Sequence, residues 1–118
     1  MISGFGGADL IRTDVSIPTL ITGGFGADEI YGGDAPNEIH GGPGGDMICG
    51  GPVNDFINAG RGIDTVYALQ GDDDLIGGDA SDLLLGGPGD DFLMGGLGAD
   101  TLFGDGGSDI LTLSLIHI

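Results

Sequence analysis

The sequence predicts an all-β fold of one domain, a right-handed parallel β-roll (a solenoid) of about five coils with two repeats in each. Three observations carry this prediction: a nine-residue period over residues 23–112, an acidic sixth position and an aliphatic eighth position. Position six is Asp in nine of the ten units, and Asn37 is the exception. The aspartates are Asp28, Asp46, Asp55, Asp64, Asp73, Asp82, Asp91, Asp100 and Asp109.

Each unit combines a turn, formed by positions one to six, with a short strand formed by positions seven to nine. Successive side chains of a strand point to opposite faces, so position eight is expected to face inward and its two neighbours outward. The inward residues are aliphatic in all ten units: Ile30, Ile39, Ile48, Ile57, Val66, Leu75, Leu84, Leu93, Leu102 and Leu111.

Glycine recurs at positions one, two and four of the turns. A residue without a side chain permits positive φ angles and a close approach of neighbouring backbones, which a sharp turn needs. We therefore expect these glycines to shape the turns around a ligand. Those assigned to the predicted metal sites are Gly23, Gly41, Gly44, Gly62, Gly86, Gly89, Gly95 and Gly98.

Two units make one coil, so units of the same parity are expected to stack and to align their sixth positions in two columns. The odd column contains Asp28, Asp46, Asp64, Asp82 and Asp100, and the even column contains Asn37, Asp55, Asp73, Asp91 and Asp109. Like charges at the spacing of stacked strands repel one another unless a cation lies between them. Ca²⁺ takes six to eight oxygen ligands in flexible geometry, which carboxylates and turn carbonyls can supply.

The repeat pattern G-G-x-G-x-D-x-U-x, with U aliphatic, resembles the RTX, or haemolysin-type, calcium-binding repeat. The resemblance covers residues 23–112. It implies that the position-six side chains and turn carbonyls of adjacent turns share each Ca²⁺, with roughly eight ions at saturation. It also implies a non-catalytic module of a secreted bacterial protein, exported by type I secretion.

The turns are not expected to bind equally well. The best matches to the repeat begin at residues 23, 41 and 95 in the odd column and at residue 86 in the even column. Val53, Leu69 and Asp105 replace turn glycines, and Asn37 offers no charge. Because these departures fall in the even column, we expect the odd column to bind calcium more strongly.

Composition excludes several classes of partner and of site. The net charge is −17 and the only cationic side chains are Arg12 and Arg61, which disfavours nucleic acid and anionic membranes as partners. The single Cys49 excludes an internal disulfide, and the apolar C-terminal segment is too short for a transmembrane span. High Gly content and charge are also typical of disorder, so we expect a chain that is unfolded without metal and folded with it.

The residues outside the regular repeats are expected to differ in role. Residues 1–22 are interpreted as degenerate repeats or an N-terminal cap; residues 14–22 would form a degraded coil or a bulged connector without a metal ligand. Residues 113–118 read LSLIHI where a Gly-Gly pair is due. This hexapeptide resembles the translation of a transposon-end sequencing adapter, so the tail is interpreted as an assembly artefact and the chain as a fragment.

Outward positions become apolar late in the chain, at Leu83, Leu85, Phe92, Met94 and Phe103. An exposed apolar patch of this kind indicates an interface, and we expect contact with other domains of a parent protein. Two alternatives stay open at this point. The chain could be the C-terminal part of a secreted metalloprotease or lipase whose catalytic domain is missing, or a structural, adhesin-type solenoid.

Overall fold

The computed structural model describes residues 1–14 and 16–113 and shows thirteen β-strands and no helix in that part of the chain. Accordingly, the described residues include no helix long and apolar enough to cross a membrane. Most of the C-terminal tail, residues 114–118, lies outside the described residues, so its interpretation as an adapter stays a prediction.

The strands form two parallel sheets, and consecutive strands along the chain alternate between them. One sheet has seven strands in the order β1 (Ile2–Ser3), β3 (Thr19–Thr22), β5 (Asn37–Pro43), β7 (Phe56–Arg61), β9 (Asp74–Asp79), β11 (Phe92–Leu97) and β13 (Ile110–Thr112). The other has six strands in the order β2 (Leu10–Arg12), β4 (Glu29–Tyr31), β6 (Met47–Gly51), β8 (Thr65–Leu69), β10 (Leu83–Leu85) and β12 (Thr101–Phe103).

The register of the sheets confirms that units of the same parity stack. Ile30 pairs with Ile48 in the six-stranded sheet, and Ile39 pairs with Ile57 in the seven-stranded sheet. The same offset of two nine-residue units continues to Leu84 and Leu102. The predicted parallel β-solenoid is therefore confirmed, and it has about six turns because the N-terminal residues add to the roll.

Residues 1–22 continue both sheets, with β1 and β3 in one sheet and β2 in the other. Leu10 pairs with Glu29, an offset one residue longer than elsewhere, because Thr13 is an additional residue between the first two units. The Thr13 N–H donates to the Tyr31 carbonyl at 3.1 Å, and its side chain is buried. Of the two interpretations offered for residues 14–22, a degraded coil fits, because β3 pairs in register with β5 from Thr19 onward.

The core is a single column of inward residues on each sheet. Side chains at position eight from Ile30 to Leu93 are fully buried, as expected from strand alternation. Leu111 pairs in register with the inward Leu93 but is 45 % exposed, and Leu102 is only partly buried. Both belong to the last described strands of their sheets, β12 and β13, against which no further described strand packs.

The outer apolar residues do not form one patch, contrary to the expectation from the sequence. Leu83, Leu85 and Phe103 lie on the outer face of the six-stranded sheet, whereas Phe92 and Met94 lie on the seven-stranded sheet. The reason is that consecutive repeats alternate between sheets, so neighbours in sequence lie on different faces. The exposure of these side chains differs. It is intermediate for Leu83, Leu85 and Phe92, and it is larger for Phe103 and Met94.

Candidate metal centre

The turns of the odd column share one backbone conformation. In all five, the residues at positions two and four have positive φ, as in Gly42 at 113° and Gly44 at 139°. Four turns have glycine at both positions; in the turn of Asp82, Ala80 takes position four with a φ of 86°. The common conformation stacks each turn on the next, since the Gly26 N–H donates to the Pro43 carbonyl at 2.9 Å and the Gly44 N–H to the Arg61 carbonyl at 2.7 Å.

Glycine at position one serves a different purpose, because its φ is not positive. A methyl group on Gly23 would lie 2.6 Å from the Asp28 Oδ2 and 2.6 Å from the Gly41 carbonyl oxygen. These predicted site glycines therefore leave room for the carboxylate that closes the turn and for the carbonyl of the next turn. Gly41, Gly86 and Gly95 lie against their own position-six carboxylates in the same way.

Replacement of Gly44 by Ala is expected to destabilise the calcium-loaded roll by more than about 2 kcal/mol. The new methyl group would overlap the Gly26 carbonyl, and the residue would have to keep a φ of 139°. The adjacent Gly45→Ala is the control, since its methyl group would lie 3.0 Å from the Ile63 carbonyl and its φ is not positive. Urea unfolding at saturating Ca²⁺ measures both variants. Equal losses would contradict the role assigned to position four.

The position-six carboxylates form two continuous hydrogen-bonded columns. Each accepts, through Oδ1, the backbone N–H of the position-six residue one coil earlier, as from Asp46 to Asp64 at 2.7 Å and from Asp55 to Asp73 at 2.7 Å. The same bond recurs along both columns at 2.7–2.9 Å. The structure thus brings the ten predicted position-six residues together in the expected columns.

The second carboxylate oxygen is left without a partner. Eight aspartates bury an Oδ2 atom that accepts no hydrogen bond from any described residue: Asp28, Asp46, Asp55, Asp64, Asp73, Asp82, Asp91 and Asp100. An unpaired buried carboxylate oxygen is costly, and a chain rarely repeats such a group without a compensating ligand. These atoms recur in eight of the ten turns, so the ligand they require must recur along both columns.

Burial raises the pKa of six of these carboxyl groups above the ordinary value of 3.8: Asp46, Asp55, Asp64, Asp73, Asp82 and Asp91. It raises the pKa of Asp64 and Asp73 to about 7 and that of Asp82 to about 6, against the opposing effect of the backbone N–H donors. The pKa values of Asp46 and Asp91 are raised for the same reason. Without a cation, the folded roll therefore binds more protons than the unfolded chain, and its stability falls as the pH rises from about 4 to about 7.

The donor set fits a hard cation bound largely by main-chain oxygens. Among residues 1–14 and 16–113, no group of three or more His, Cys, Asp and Glu side chains converges as a metal site would. A transition-metal centre would need such a group, whereas Ca²⁺ accepts one or two carboxylates together with backbone carbonyls. The unpaired Oδ2 atoms lie in turns whose carbonyls face the next turn, which is the ligand chemistry that calcium prefers.

The even column is less regular, as the sequence predicted. Leu69 and Asp105 take positive φ angles of 83° and 70° at glycine positions, a conformation that costs free energy for residues with a side chain. Gly89 keeps the positive φ that glycine has at position four of the other regular turns, at 142°. The turns of Asn37 and Asp55 contain no residue with positive φ. The odd column therefore has the more uniform turns.

Two carboxylates outside the predicted columns also take part in the stacking of the turns. The Asp9 N–H donates to Asp28 Oδ1 at 2.8 Å, so Asp9 begins the odd column; its GFGGAD turn was visible, but Thr13 shifts it out of phase. Asp72 is exposed, and its carboxylate accepts the Asp90 N–H at 2.9 Å. It belongs to an exposed position-five ladder in the even turns, in which Asn54 accepts the Asp72 N–H at 2.9 Å.

Comparison with known families gives a direct match for this arrangement. The family described as RTX calcium-binding nonapeptide repeat (4 copies) matches residues 22–57, 50–84 and 76–111, which is most of the chain. Comparisons with curated proteins and with solved structures gave no match. The repeats, the parallel roll and the two carboxylate columns agree with the family match: the chain belongs to the RTX calcium-binding nonapeptide repeat family, whose β-roll is a structural calcium-binding module.

Proposed function

We propose that this chain is the calcium-dependent folding module of a secreted bacterial protein, with no catalytic role of its own. The position-six aspartates, together with Asp9, hold the ions, and the turn glycines admit them. The observation that carries the proposal is the set of eight buried Oδ2 atoms without a hydrogen-bond donor. Supplying a cation to these atoms removes a cost that otherwise grows with every coil.

The proposed role depends on the difference in calcium between the two sides of the cell envelope. Extracellular calcium modules have Kd values of roughly 10⁻⁴–10⁻³ M, so they are empty at cytosolic calcium and loaded outside the cell. A chain with a net charge of −17 and a core one residue deep folds poorly until cations bind. Export as an unfolded chain and folding on arrival follow from this difference.

The rest of the chain fits this role as a module within a larger protein. Residues 23–112 are the calcium-binding roll, and residues 1–22 are its N-terminal cap, because they carry the sheets beyond the first regular repeat. Two separate faces are available to neighbouring domains of the parent protein. Leu83, Leu85 and Phe103 lie on one, and Phe92 and Met94 lie on the other.

About eight Ca²⁺ ions are expected to bind at saturation, one between most pairs of stacked turns. Their charge would offset nearly all of the net charge of −17. Native mass spectrometry and calorimetry count the ions, and an equal concentration of Mg²⁺ is the control because its strict octahedral demand suits these turns poorly. Two or fewer ions would mean that the columns do not act as the binding site.

A further inference from the structure

One level of the roll departs from all the others in its backbone. It consists of the turns at residues 32–37 and 50–55, which adjoin in the even column and precede β5 and β7; we call it the Asn37 level. Their positions two and four are Gly33, Ala35, Gly51 and Val53, and none has a positive φ. The other turns of residues 23–112 have positive φ at both positions.

The first of these turns has a buried side chain at position four. Ala35 is only 6 % exposed, where the odd-column turns of Asp28 and Asp46 have Gly26 and Gly44. The buried methyl group and the absence of left-handed residues both set this level apart from the turns of the odd column.

The electrostatics of the level also differ, because Asn37 supplies a donor where the other levels have a second carboxylate. Its amide nitrogen donates to Asp55 Oδ1 at 3.1 Å and to the Gly33 carbonyl at 3.4 Å. Its backbone N–H donates to the same Asp55 oxygen at 2.8 Å. The opposite amide orientation would set two acceptor oxygens against each other, so the donor orientation follows from the chemistry.

Other features reduce the cost of ordering this part of the chain. Pro36 and Pro52 restrict the unfolded chain within the two turns. On the outer face of β5 and β7, the rings of His40 and Phe56 lie 6.1 Å apart, and His40 Nε2 is 2.8 Å from Glu38 Oε1. The level therefore has packing of its own and one buried carboxylate in place of two, although Asp55 Oδ2 and Asn37 Oδ1 accept no hydrogen bond from the described residues.

We infer that the Asn37 level, whose turns have neither the left-handed residues nor the second carboxylate of the other levels, binds no calcium and persists as the folded part of the roll when calcium is withdrawn. The inference rests on the proposed function, since it assumes that the remaining levels need the ion. Asn37, predicted from the sequence as a metal ligand, then acts as a hydrogen-bond donor to Asp55 Oδ1 instead of binding the ion. Folding on calcium addition extends from this level toward β9 and β11.

Hydrogen exchange of the full chain, followed by mass spectrometry in excess chelator, tests the inference. We expect the amides of β5 and β7 to exchange at least about tenfold more slowly than those of β9 and β11. Asn37→Asp is expected to abolish this difference, since it sets a second carboxylate against Asp55. Asn54→Asp is the matched control: it adds the same charge in the same level, and its carboxylate can still accept the Asp72 N–H.

The ion count gives a second readout, taken by native mass spectrometry at saturating Ca²⁺. Asn37→Asp and Asn54→Asp are expected to bind the same number of ions as the unaltered chain. Uniform exchange of all strands in chelator, retained protection in Asn37→Asp, or an additional ion in that variant would each overturn the inference. Failure of calcium to protect β9 and β11 in any variant would instead contradict the proposed function, so the two failures are distinguishable.

Discussion

In excess chelator the far-UV circular dichroism of the full chain is expected to be that of a largely unfolded polypeptide, and millimolar Ca²⁺ is expected to convert it to β-structure. The same concentration of Mg²⁺ is expected to leave the spectrum largely unchanged, because Mg²⁺ demands octahedral geometry and dehydrates reluctantly. A small residual β signal in chelator agrees with a persistent Asn37 level. Titration of the ellipticity with each ion measures the effect.

The physical reason lies in how little the metal-free roll has to stabilise it. Its core is one side chain deep on each sheet, and eight buried carboxylate oxygens have no donor. The chain is also rich in glycine, with 28 residues, which raises the entropy lost on folding. At about one hundred times Kd, each bound ion stabilises the folded state by about 2.7 kcal/mol.

A fully folded spectrum in excess chelator would show that the two sheets are stable without the ion. The buried carboxyl groups would then have to be compensated by protons. The pKa of about 7 at Asp64 and Asp73 makes this alternative measurable, because such a fold would lose stability as the pH rises toward 7. Repeating the titration above that pH separates the two explanations.

Most of the fold could be predicted from the sequence because one period sets three things at once. The spacing that places Ile30 and Ile48 inward also sets the strand register and aligns Asp28 with Asp46. The predictions were incomplete where the nine-residue period breaks or ends. Asp9 lies in a recognisable repeat but was left out of the predicted columns because Thr13 interrupts the period after it, and the exposure of Leu111 depends on what packs beyond β13.

The details of the candidate site were harder to predict than its location. A replaced glycine does not reveal whether the turn keeps its conformation at a cost or adopts another. Leu69 and Ala80 keep positive φ, whereas Val53 does not. Gly51 and Val53 share the absence of positive φ with Gly33 and Ala35 one coil earlier, which indicates that these two adjoining turns adopt one conformation together. Such cooperation between stacked turns is not visible in a single repeat.

Asp64→Ala is expected to raise the calcium midpoint of folding more than Asp73→Ala. Asp64 is fully buried in the odd column, between two turns that both have positive φ at positions two and four. Its loss is expected to affect the ions on both sides and to leave Asp46 and Asp82 less compensated. The expected rise is roughly tenfold, which corresponds to about 1.4 kcal/mol.

Asp73→Ala is expected to weaken calcium binding less than Asp64→Ala does. Its turn holds Leu69 at a φ of 83°, and the turn before it belongs to the Asn37 level, so at most one neighbouring ion depends on it. Asp64→Ala removes the acceptor of the Asp46 N–H, and Asp73→Ala removes the acceptor of the Asp55 N–H, each at 2.7 Å. Because both variants lose one equivalent hydrogen bond, this loss does not contribute to the difference between their calcium midpoints. Asp72 is not expected to compensate, because its carboxylate already accepts the Asp90 N–H.

Asp34→Ala provides the control for charge, since it removes an exposed carboxylate from a turn without touching either column. It is expected to leave the midpoint nearly unchanged or to lower it slightly, as the net negative charge falls. Calcium titrations of the three variants by circular dichroism measure the order. Equal shifts of the calcium midpoint for Asp64→Ala and Asp73→Ala would show that the conformation of the turns does not determine the relative affinity of the sites. Every position-six carboxylate would then contribute equally to calcium binding.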